Sequence, residues 1–172
     1  MKACSPSLRL LGCAGTAGAV LLLPGSPRAV EPIAVAVAEF DFVDTSGEVM
    51  DQTQAHMERL RGLTQDIRDG LDQSGRYRVI SLSCDPTPCS AGRTDPAELL
   101  AKARAVGARL LVYGGIQKMS TLIQYGNAEV VDLEADRLVF DRNISFRNDS
   151  DEAWQRAAKF LVAELMKERL VQ

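Results

Sequence analysis

The sequence predicts an α/β (α+β) chain built on a single mixed sheet, in the order β-α-β-α-β-β-β-α. Three observations lead there. Dense apolar runs of strand length occupy 32–42 and 109–119. Two segments with helical apolar spacing separate the first three strands. The tight "EAD" connection, Glu134 to Asp136, joins two extended stretches into a hairpin. Helices between early strands imply right-handed parallel crossovers, while a hairpin adds antiparallel neighbours. One mixed sheet with helices packed on it buries all of these faces.

The first run, "PIAVAVAEFDF" from Pro32 to Phe42, is too short for most helices and reads as one buried strand. "VDTSGE" follows as a loop. Met57, Leu60, Thr64, Ile67 and Leu71 then recur at intervals of 3, 4, 3 and 4, one face of a helix. His56, the single histidine, lies at the start of that helix and is expected to be solvated. Gly75 in "QSGRY" suits the helix end. "YRVISL", Tyr77 to Leu82, is a short strand. In "TDPAELLAKARAVGA", Asp95 can cap, Pro96 suits the first helical position, Glu98 falls three residues after the cap, and Gly107 ends the helix. "RLLVYGGIQKM" is the next strand, followed by extended stretches at Thr121 to Leu133 and Arg137 to Arg147. In the last of these Leu138, Phe140, Ile144 and Phe146 alternate with polar residues, so all four are expected on one buried face. "NDSDE" starts a terminal helix whose apolar face carries Trp154, Ala157, Ala158, Leu161 and Leu165.

A chain of 172 residues favours one domain. Its net charge of −3 argues against a nucleic-acid partner. Residues 1–29 carry Lys2 and Arg9, then the apolar run Leu10 to Leu23, then "PGSPRA". This is the plan of a cleaved signal peptide. The run is short of the ~20 residues that span a bilayer. A retained anchor, or a lipid on Cys13 of "LLGC", is the alternative. The expected organisation is therefore a signal peptide at 1–29 and a single periplasmic domain at 30–172, with no stable membrane span after cleavage. Cleavage takes Lys2, Arg9 and Arg28 from the 20 basic residues and none from the 23 acidic ones, so the net charge becomes −6.

Cys84 and Cys89 remain, in "CDPTPC". A structural disulfide is the leading reading in an oxidising compartment. Free thiols, redox work and metal binding are the alternatives; the spacing is not C-x-x-C and no second pair is present.

The segments "IAVAVAEFDFVDTSG", "LDQSGRYRVIS", "AVGARLLVYGGI" and "VVDLEADRLVFDRNISF" together resemble the amino-terminal domain of TolB and related periplasmic modules, the curli secretion lipoprotein and the activators of penicillin-binding proteins. The stretch from Gly114 to Leu161 is similar to a family of exported bacterial proteins classed as domains of unknown function. The resemblance implies the fold and the periplasm and supplies no catalytic residues. The β-propeller that follows the module in TolB is absent, so TolB's function does not transfer.

"YGGIQKMST", Tyr113 to Thr121, superficially offers a phosphate loop. That loop needs G-x-x-x-x-G-K-[ST] ahead of a helix, and here both the spacing and the following strand disagree. Gly114 and Gly115 are better explained by close backbone packing or a bulge. Lys118 and Ser120 then fall at the strand end and turn, where truncating Lys118 should leave stability nearly unchanged. A hydrolase needs a base beside its nucleophile, and His56 has no evident partner in sequence. Glu39 and Asp41 alternate on the first strand and are expected to pair with arginines. The acids of "RNDSDE" are explained by a helix start.

Two function classes remain. One is a non-enzymatic binding or assembly module that contacts an envelope protein through the sheet edge, the strand-three turn and the loop after strand one; Asp44, Thr45, Lys118 and Ser120 are its candidate contacts. The other is an accessory protein that handles a small molecule, metal or cofactor for an exported oxidoreductase. The first implies no cofactor and no catalytic residue.

Overall fold

The computed structural model describes residues 31–171, so the expected leader lies outside the described residues. The elements are β1 (Ile33–Val37), β2 (Asp41–Asp44), α1 (Thr53–Gln73), β3 (Tyr77–Ile80), α2 (Pro96–Ala105), β4 (Leu110–Lys118), β5 (Ile123–Asp132), β6 (Arg137–Arg147) and α3 (Asp151–Lys167). They form one mixed six-stranded sheet in the order β3-β1-β4-β5-β6, with β2 also paired to β4. β1 is parallel to β3 and to β4, and the β4-β5-β6 meander is antiparallel. The expected fold class is the observed one.

The run from 32 to 42 is two strands rather than one. Val37 faces Val112 and Asp41 faces Gly115. Four steps on one strand therefore match three on the other, so the chain bulges between them. The bulge has its own partners. Ala38 N–H donates to Val112 O at 2.9 Å and Glu39 N–H to Cys89 O at 2.8 Å. Phe40 turns fully into the core.

α1 and α3 cover one face of the sheet. Leu60, Leu63, Ile67, Leu71, Trp154, Leu161 and Leu165 pack there against Val35, Val37, Val112 and Ile116. α2 covers only part of the other face, where Leu99 and Ala103 meet Ala36, Ala38 and Leu111. Beyond α2 that face is open: Gly115, Gln117, Asn127 and Tyr125 are half-buried or exposed. The ends behave as their residues dictate. Asp95 accepts from Ala97 N–H at 2.9 Å and Glu98 N–H at 3.2 Å, with Pro96 at the first position of α2. Gly75 and Gly107 adopt φ of +67° and +76° just past α1 and α2, a conformation that glycine takes without strain. Cys84 and Cys89 form a disulfide.

β6 departs from simple alternation. A bulge opposite Val130 and Val131 leaves Val139 unpaired, with Leu138 facing Val131. Leu138 is thereby turned to the opposite face from Phe140 and stands 49% exposed, whereas Phe140 and Ile144 are buried as expected. Gly114 is a close-approach glycine. A Cβ there would stand 2.2 Å from Asn127 O and 2.7 Å from Phe40 Cε1.

Candidate functional site

The far end of the sheet gathers Asp44, Thr45, Lys118 and Ser120. Asp44 faces Lys118 across the β2-β4 pair. Thr45 donates to Lys118 O from both its N–H, at 2.9 Å, and its hydroxyl, at 3.0 Å. Ser120 Oγ accepts from Leu122 N–H at 3.3 Å and Ile123 N–H at 3.1 Å, which builds the β4-β5 turn. Asp44 accepts from the Ser46 amide at 2.9 Å and hydroxyl at 2.6 Å. Those Ser46 bonds hold its carboxyl below the usual carboxylate range.

Lys118 does not point to solvent. It is 1% exposed, because position 118 shares the inward face of β4 with Gly114 and Ile116. Its ammonium meets Glu48 Oε2 at 2.5 Å and Asp149 Oδ2 at 3.0 Å. The expectation of a Lys118 at the strand end that contacts a partner and is neutral to stability when truncated is therefore corrected: the head group is buried and committed internally. His56 is corrected in the same way. It is 1% exposed and its Nε2 lies 2.6 Å from Asp149 Oδ2. The Phe42 ring packs against the imidazole at 4.7 Å between centroids.

Asp149 is the hub. Besides His56 and Lys118 it receives Arg59 Nη1 and Trp154 Nε1, each at 3.0 Å on Oδ1. Burial alone would raise its carboxyl. The bonds from His56, Lys118 and Trp154 outweigh that and lower it to about 2. Burial alone would likewise lower the Lys118 ammonium, and its bonds to Glu48 and Asp149 outweigh that and raise it. Arg59 extends the cluster outward to Asp151 at 2.8 Å. The carboxylates neutralise the buried cations and occupy their donors, so burial is compensated. Neither His56 nor Lys118 has a face turned to solvent on which a substrate could be acted upon. Among the described residues no group of three or more His, Cys, Asp or Glu side chains is arranged to hold a metal ion.

Apolar side chains are also exposed at this end of the sheet. Val43, Val49, Met50, Met119, Leu122, Ile123 and Tyr125 are all exposed. They come from β2, from the loop at 45–52, from the β4-β5 turn and from the start of β5. Glu48, in the middle of that loop, ties it to Lys118 and also accepts from Gln52 at 2.8 Å.

The expected carboxylate–arginine pairs form elsewhere. Glu39 meets Arg68 at 2.8 Å and Asp41 lies 3.7 Å from Arg93. Asp41 also accepts from Ser90 Oγ and Gly92 N–H, each at 2.7 Å, and so fastens the segment after the disulfide to β2.

Sequence reasoning missed Asp149, Glu48, Arg59 and Trp154 as partners of Lys118 and His56. One signal was present: His56 stands four residues before Leu60 and so continues the Leu60–Thr64–Ile67–Leu71 face.

Comparison with solved structures finds the same architecture at low identity. A hypothetical protein, CT253, from Chlamydia trachomatis has a TM-score of 0.51 at 13% identity, over 78% of this chain and 95% of that one. A PelC dodecamer from Paraburkholderia phytofirmans has a TM-score of 0.50 at 16% identity, over 81% and 89%. TolB from Acinetobacter baumannii has a TM-score of 0.49 at 14% identity; the match takes in 80% of this chain but 28% of TolB, so this chain spans about a quarter of TolB's length. No curated protein matches. The family DUF3280, described as "Protein of unknown function (DUF2380)", matches residues 33–166, and the chain belongs to that family.

Proposed function

We propose that this protein is an exported, periplasmic binding or assembly module without chemistry of its own, whose far sheet end contacts an envelope protein. The observation that carries the reading is the set of exposed apolar side chains at the far sheet end, Val43, Val49, Met50, Met119, Leu122 and Ile123, in segments that adjoin an internally satisfied ion cluster. Exposed apolar side chains gathered at one place mark interaction sites. The neutralised cluster ties the loop that carries Val49 and Met50 to β4 through Glu48 and Lys118. Asp44, Thr45 and Ser120 shape the backbone of this end, and Lys118 anchors it from inside. Among the described residues no helix is long and apolar enough to cross a membrane. The resemblance to periplasmic modules supports the compartment.

The test is photo-crosslinking in the native host from a reactive side chain placed at Met119 or Leu122, with purification of the exported protein. One defined envelope protein should be captured, and Leu122→Glu should abolish the capture while leaving the thermal melt unchanged. A crosslinking pattern indifferent to Leu122→Glu would overturn the assignment.

A further inference from the structure

We propose that β6 is a dimerisation edge, on which two copies of this chain pair antiparallel about Ile144, with Asp141 of one copy facing Arg147 of the other. This goes beyond the reading above and concerns the strand edge rather than the far sheet end.

β6 ends the sheet, so one side of its backbone has no strand partner among the described residues. A groove runs along it, lined by the five successive residues Asn143 to Arg147 and by Ala153, Arg156, Ala157 and Phe160 of α3. Strand side chains alternate between faces. A groove that touches five in a row therefore follows the backbone edge itself. Such an edge is a template for another strand. Phe160, 48% exposed, stands in the same groove.

The charges choose the occupant. Asp141 and Arg147 are exposed on the open face of the sheet, and among the described residues neither has an ion-pair partner. Asp141 also lies opposite Glu129 of β5, which leaves two carboxylates adjacent. Centring an antiparallel pair on Ile144 sets each Asp141 against the other copy's Arg147, each Asn143 against Ser145, and Ile144 against itself. Opposite charges facing each other across strands are favourable, and like charges are not. A pairing centred on Arg142 would use the whole strand, but it sets Arg142 against Arg142 and Arg137 against Arg147. The charge pattern thus favours the Ile144 register for a self-complementary two-fold contact. That two-fold stands normal to the sheet and brings the two α3 helices side by side, so the groove holding Phe160 is covered from both copies.

Sedimentation equilibrium on the mature protein tests this. The parent should dimerise, and Asp141→Arg and Arg147→Asp should each weaken the dimer about tenfold, since each alters two symmetric contacts. An equimolar mixture of the two single variants should recover a heterodimer, and so should the double variant Asp141→Arg/Arg147→Asp as a homodimer. Thermal melts recorded at concentrations where the parent is monomeric should change little, because both side chains are exposed. A parent that stays monomeric, or a dimer indifferent to single reversal, or one that neither the mixture nor the double variant restores, overturns the proposal.

Discussion

Truncating Lys118 to alanine should destabilise the protein by about 2–4 kcal/mol. Removing one member of a buried ion pair generally costs about 3–5 kcal/mol, because the partner charge is left behind without compensation. Two features of this cluster reduce that figure. Asp149 keeps His56, Arg59 and Trp154 as donors. Glu48 has a 19% exposed side chain and can turn to water. Against this, the lost stem leaves a gap at a position that is 1% exposed. Lys118→Met keeps much of the stem and isolates the charge. The assay is urea unfolding of the mature protein at neutral pH, with Lys118→Ala, Lys118→Met, Asp149→Asn and the Lys118→Met/Asp149→Asn double variant. The double variant should fall short of the summed losses by about 1 kcal/mol or more, as expected for groups in direct contact. A Lys118→Ala loss below about 0.5 kcal/mol, the range of ordinary surface substitutions, would refute a buried and ion-paired Lys118.

Acid should act through Asp149. Its carboxyl is lowered from 3.8 to about 2 on folding, so it contributes stability above its unfolded value and loses it as pH falls through about 2. The contribution is about 2 kcal/mol. Urea midpoints measured between pH 5 and 2 should fall less steeply in Asp149→Asn than in the parent. Gly114→Ala should destabilise by about 3 kcal/mol or more through overpacking, since the added Cβ meets backbone at 2.2 Å. Gly115→Ala, whose nearest contact is 3.3 Å, should be far milder; equal thermal melts for the two would contradict the packing described. Replacing Cys84 and Cys89 by serine opens a short loop and should remove about 2 kcal/mol on the chain-entropy account, read as a lower urea midpoint that matches the reduced parent. Gln124 is fully buried and its amide has no protein partner. Gln124→Met should therefore be neutral or stabilise by about 1 kcal/mol in the same assay.

Most of the fold was legible because its signals are local. Asp95, Pro96 and Gly107 bound α2 by side-chain and backbone chemistry within one turn. Trp154, Ala157, Ala158, Leu161 and Leu165 mark the buried face of α3 by spacing alone. The break between β1 and β2 was not legible, since Ala38, Phe40 and Phe42 prolong the strand-like pattern of β1 and the partner that captures Glu39, Cys89 O, lies fifty residues on. The turned Leu138 follows from one extra residue in the pairing with β5, which periodicity on β6 alone does not reveal. Asp149 was assigned to a helix start, a local and sufficient reason for an acid. Its partners His56 and Arg59 are 93 and 90 positions away, and nothing in one sequence links them. The candidate contacts Asp44, Thr45, Lys118 and Ser120 do come together, but the direction of the Lys118 side chain depends on the register of β4.

The tie from Glu48 to Lys118 also bears on the thermodynamics of association. A loop of this length, if untethered, would have to surrender backbone freedom on meeting a partner, roughly 1–2 kcal/mol for each residue fixed. Here much of that ordering is already done during folding, by the Thr45 bonds to Lys118 O and by the Glu48–Lys118 contact. A partner arriving at the far sheet end meets a preorganised surface. Its association should therefore show little of the unfavourable ordering entropy that accompanies coupled folding and binding, and a variant lacking the Lys118 ammonium should bind with a larger entropic penalty even where its contact residues are unchanged.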